Sequence, residues 1–108
     1  MANQQYEACI SACDACAAAC DHCVAECLQE TQVSRLADCI RHDLDCASAC
    51  RFASAAVSRR SAQVQQICSL CALLCEVCAG ECERHEHAHC QACADACRRC
   101  AEICRTMA

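Results

Sequence analysis

The sequence has 108 residues, with 19 cysteines, one glycine, no proline and a net charge of −5 carried by 9 basic and 14 acidic side chains. That length holds one domain, expected over 1–108, without an accessory catalytic unit, and the scarcity of turn breakers argues against a β fold. Interspersed charges and an aromatic content of 2% exclude a basic, ring-stacking nucleic-acid surface.

No apolar run approaches the roughly 20 residues of a membrane span, so no membrane association is expected. The segment Met1 to Glu7 has neither the charged nor the apolar region of a secretory signal. The expected location is therefore cytoplasmic, where thiols stay reduced. The hydrophobic content of 56% comes mostly from the 19 cysteines and 23 alanines, while Leu, Ile, Val and Phe number only 16. That is thin for a globular core. Either the chain is disordered or cysteine takes the place of leucine inside it, and the periodicity decides for the second.

The first predicted helix, 4–29, carries Cys9, Cys13, Cys16, Cys20, Cys23 and Cys27. The second, 33–57, carries Cys39, Cys46 and Cys50, and the gap of seven leaves one seam position, 43, held by Asp43. The third, 62–84, carries Cys68, Cys71, Cys75, Cys78 and Cys82, with Ser61 as its expected N-cap. The fourth, 88–106, carries Cys90, Cys93, Cys97, Cys100 and Cys104, and Arg105 suits the negative end of its dipole. Alternating steps of three and four are the inward a/d positions of a heptad, whereas a strand needs a period of two. All 19 cysteines obey it. Short connections predict an all-α, antiparallel up-down-up-down four-helix bundle with a cysteine-lined core, its helices about 30 Å long.

One or two buried cysteines are ordinary small hydrophobes, but 19 on four seams are not. Disulfides fit poorly, because i, i+3 and i, i+4 neighbours sit about 5–6 Å apart at Cβ and a disulfide needs about 3.5–4.5 Å; the odd count points the same way. Metal binding remains. Soft thiolates select Cu(I), zinc or iron–sulfur clusters. A monovalent ion paired with each thiolate keeps a dry interior near neutral, whereas zinc on four thiolates leaves −2 per site, and uncompensated buried charge is costly. Iron–sulfur ligands usually lie on turns with a following proline, which this chain lacks. Cu(I), several ions per chain, is the best fit, while geometry alone leaves zinc open.

The segments E7-A-C-I-S-A-C-D-A-C, C39-I-R-H-D-L-D-C46, I67-C-S-L-C-A-L-L-C-E-V-C and H85-E-H-A-H-C-Q-A-C-A-D-A-C97 resemble the copper storage proteins in their cytosolic form. The resemblance runs nearly end to end. It implies a homotetramer of four-helix bundles, each filled with Cu(I) held mainly by cysteine, that stores copper and hands it to copper chaperones or copper enzymes.

Asp43 reads as a partly hydrated carboxylate near a bundle end, as half of an ion pair with a neighbouring helix, or as a group that ligates or steadies a cation. A step of three past Cys82 reaches His85, and the same step past Cys104 reaches Met107; both side chains are copper-ligand types, though Met107 lies where a terminus frays. His85, His87 and His89 form either an exposed polar turn or a door that passes Cu(I) to Cys82 and Cys90, with His85 the favoured ligand. His22 and His42 fall beside the seam and read as surface. Leu70, Leu73 and Val77 make a second apolar stripe on the third helix, expected to meet another subunit.

Two other functions stand beside copper storage. One is a zinc or general soft-metal buffer. The other is a thiol redox enzyme, prompted by pairs such as Cys13/Cys16. An active dithiol works from a helix N-terminus, however, and these pairs lie within helices, so no enzyme activity is expected.

Overall fold

The structure is a computed structural model and describes residues 2–108. Four helices carry the chain: α1 Ala2–Cys27, α2 Ala37–Ser58, α3 Val64–Cys82 and α4 Ala88–Met107. A 3-10 turn, Val33–Leu36, leads into α2 where the sequence predicted continuous α-helix. Each helix packs on its two chain neighbours, and α4 closes back on α1, so the four stand in a square. The bundle is 46 Å long and only 18 by 17 Å across. Cysteine and alanine explain the narrow section: Ala17, Ala53, Ala72, Ala79 and Ala94 are buried between the cysteine seams, and small side chains let helices approach closely. Leu36 and Val57 are the large aliphatic side chains fully inside.

By length and composition α1 and α3 do reach the level of a membrane span, which the sequence reading denied. The cause is that cysteine and alanine count as hydrophobic. Here the cysteine sulfurs face one another across the bundle axis, and the outer face of α1 carries Glu7, Asp14 and Asp21.

Ser61 does not cap α3 as expected. The helix begins later, after Gln63, with no side-chain cap, and Ser61 Oγ instead accepts from the Gln63 amide at 3.1 Å inside the connecting turn. The turn is closed by Arg60, at φ 57°, with the Ser61 amide bonded to Ala56 carbonyl at 2.9 Å. This is a Schellman-type stop built on a residue other than glycine. Its guanidinium lies 4.1 Å over the Tyr6 ring, an attraction that helps offset the left-handed backbone. Arg105 sits in the last turn of α4 as predicted, and Met107 is helical and buried rather than frayed.

Candidate metal core

All 19 cysteines are buried free thiols. The heptad spacing turns each seam inward, and the square arrangement brings four seams together. Cys16 shows the result: its sulfur lies 3.8 Å from Cys46, 4.0 Å from Cys75 and 3.7 Å from Cys97, one on each of the other helices. Along single helices Cys23 and Cys27 approach to 3.8 Å and Cys78 and Cys82 to 3.9 Å. These are contact distances, well beyond the roughly 2.05 Å of a disulfide.

Sets of four sulfurs lie within 4.8 Å of one another: Cys13, Cys71, Cys100 and Cys104; Cys16, Cys46, Cys50 and Cys75; Cys16, Cys20, Cys46 and Cys97; Cys20, Cys78, Cys93 and Cys97; and Cys23, Cys27, Cys39 and Cys90. Cys16, Cys20, Cys46 and Cys97 each belong to two of these sets. The three middle sets thus form a ladder of shared sulfurs, and the contacts Cys50–Cys100 at 3.9 Å and, by way of Cys78, Cys39–Cys82 at 3.5 Å carry it on to the sets at either end. Separate tetrahedral zinc sites need their own four ligands, while ions that share bridging thiolates can fill a ladder.

Asp43 is completely buried in it. Its Oδ1 accepts from the thiols of Cys78 at 3.2 Å, Cys93 at 3.3 Å and Cys82 at 3.5 Å, and Cys39 lies 3.9 Å from Oδ2. Burial pushes its carboxyl from an ordinary 3.8 up to about 8. Burial likewise pushes Cys27 up to about 11 and Cys68 up to about 12, with Cys39 and Cys9 as the next causes. Empty, these groups hold their protons, and a metal ion must displace them.

The topology gathers the C-terminus of α1, the N-terminus of α2, the C-terminus of α3 and the N-terminus of α4 at one end. The histidine turn closes that end. His89 is the histidine that faces sulfur: its Nδ1 lies 3.5 Å from Cys23, 3.5 Å from Cys90 and 3.9 Å from Cys27. His85 Nε2 turns to Glu81 Oε2 at 2.8 Å, and His87 Nδ1 to Glu30 at 3.3 Å. The favoured role of His85 over His89 therefore finds no contact with sulfur to rest on. The usable signal for His89 was its place in the first turn of α4 directly before Cys90, flanking the seam. Asp43 lies in the same half of the core, joined to the histidine level through Cys39, which is 4.0 Å from Cys90. His22 is exposed and His42 half-buried, outside the core.

A narrow antiparallel bundle whose axis is lined with thiols, with a carboxyl and an imidazole near one end, defines a storage protein for soft metal ions rather than a catalyst. The chain belongs to the copper storage protein family, whose profile matches residues 2–108, and its function is copper binding and storage. It is 51% identical over 106 residues to the cysteine-rich protein YhjQ of Bacillus subtilis strain 168, covering 97% of this chain and 98% of that one. Its fold is similar to that of the Cu(I)-bound copper storage protein BsCsp3, with a TM-score of 0.93 and 50% identity over 96% of this chain and 98% of the other. A cytosolic copper storage protein of Streptomyces lividans carrying five coppers gives a TM-score of 0.95 at 38% identity, over 98% of this chain and 93% of the other.

Proposed function

We propose that residues 1–108 form a single metal-binding domain that holds many Cu(I) ions at once on its 19 core thiolates, with Asp43 as a further ligand near the histidine end and His85 joining only when its ring leaves Glu81. The observation that carries this reading is the sharing of sulfurs between neighbouring sets of four. Monovalent ions bridged by shared thiolates fill such a ladder without accumulating charge, whereas stacked tetrathiolate zinc sites would add −2 each to a dry core. His89, against Cys23, Cys27 and Cys90, is placed to pass incoming Cu(I) to the first sulfurs.

The protein works in the cytosol as a homotetramer and supplies copper chaperones or copper enzymes. Leu70, Leu73 and Val77 on α3 and Leu44 and Phe52 on α2 stand 40–51% exposed, a set of large apolar side chains that association would cover. Replacing Leu70 and Leu73 together by Glu is expected to lower the solution mass from four times to one times 11.6 kDa, read by light scattering.

Titration of the reduced protein with Cu(I) against a strong Cu(I) chelator tests the main reading. Uptake should continue toward about one ion per thiolate; saturation after a few ions would sink it. Protein purified from cells with tetrahedral zinc as its dominant metal would favour the zinc-buffer alternative.

A further inference from the structure

Outside the thiol ladder lies one cluster of metal-binding side chains that shares only His89, through its other ring nitrogen, with the copper path. Glu30, in the connection after α1, meets two histidines from the other side of the bundle end. Its Oε2 is 2.9 Å from His89 Nε2 and 3.3 Å from His87 Nδ1, and the two imidazole rings stack 5.2 Å apart at an interplanar angle of 7°. We propose that Glu30, His87 and His89 form a site for a borderline divalent cation, zinc in the first instance, on the outer side of the bundle mouth and separate from the thiolate core.

Three observations carry this. The donor set is two imidazole nitrogens and a carboxylate oxygen, which suits Zn2+ and leaves Cu(I) without a soft ligand. The spacing is within reach, since bonds of about 2.0–2.2 Å put neighbouring ligand atoms of a tetrahedron about 3.3–3.5 Å apart: the His87 contact of 3.3 Å already matches, and the His89 contact of 2.9 Å opens slightly as its hydrogen bond gives way to the ion. Access is open: a cavity of about 260 Å³, lined in part by Glu30, Arg35, His85, Glu86 and His87, leads from solvent to the site and leaves room for water as fourth ligand.

The two faces of the His89 ring separate the sites. With a cation on Nε2, the proton of the neutral ring sits on Nδ1, where Cys23 and Cys90 lie at 3.5 Å. That N–H donates to a thiolate already holding copper, so an occupied core and an occupied outer site are compatible.

The copper-loaded full chain, its thiols taken, is equilibrated with zinc buffered at micromolar free concentration. The expected result is one zinc per chain, with nitrogen and oxygen neighbours at about 2.0–2.2 Å and no sulfur at about 2.3 Å in X-ray absorption. Glu30→Gln should weaken zinc binding at least about tenfold while leaving copper content unchanged, and His87→Ala should weaken zinc binding similarly. A sulfur shell around zinc, equal affinity in both variants, or no bound zinc would each overturn the proposal. Copper content is read in the same samples, so failure here is distinguishable from failure of the copper-store reading.

Discussion

At Asp43 a carboxyl stands where heptad spacing leaves a place for a cysteine, with three thiols donating to one of its oxygens. The unfolded chain releases this proton near 3.8, while the fold holds it until about pH 8. Between those values the native state binds the extra proton, so this group's contribution is fully present below about pH 4 and is lost as pH rises toward 8. For the copper-free protein, Asp43→Asn should gain stability relative to the parent as pH is raised from 5 to 8.5. The part of the shift that falls between pH 5 and 8 corresponds to about 4 kcal/mol, read by urea unfolding at each pH; a gap that does not change with pH would refute the assignment. The seam position was legible from the spacing of Cys39 and Cys46. The high affinity for a proton was not, because it arises from burial beside Cys78, Cys82 and Cys93, which are 35 or more residues away.

The helices were legible as elements because a 3/4 repeat of cysteine has only one regular explanation. Their ends were less so. Ser61 carries the composition of an N-cap, yet the chain stops α2 with Arg60 in the left-handed region and spends Ser61 inside the turn. Arg60 is held there partly by Tyr6, 54 positions away, a partner no local pattern reveals. The 3-10 turn before α2 brings in Leu36, 2% exposed and one of the few large aliphatic side chains in a core of sulfur and methyl groups. Leu36→Ala should cost the copper-free protein about 2–4 kcal/mol by cavity formation, measured by urea unfolding. In the copper-loaded protein part of that loss should be masked by the metal.

At the scale of the whole molecule, the bundle buries ligands where other bundles bury leucine. Binding to the folded state alone must therefore supply stability that aliphatic packing does not. Loading with Cu(I) is expected to raise the melting temperature by at least about 10 °C, followed by circular dichroism, and an unchanged melting temperature would place the metal outside the core. The sequence by itself determined the four seams, their inward direction and the soft-metal chemistry, since periodicity and residue type are local properties of the chain. Only the tertiary structure decided that His89 rather than His85 meets the thiols, that Glu30 lies across from His87 and His89, and that neighbouring sets share sulfurs. Those facts depend on the rotation and register of four helices against one another, which side-chain packing sets across the bundle and no single helix contains.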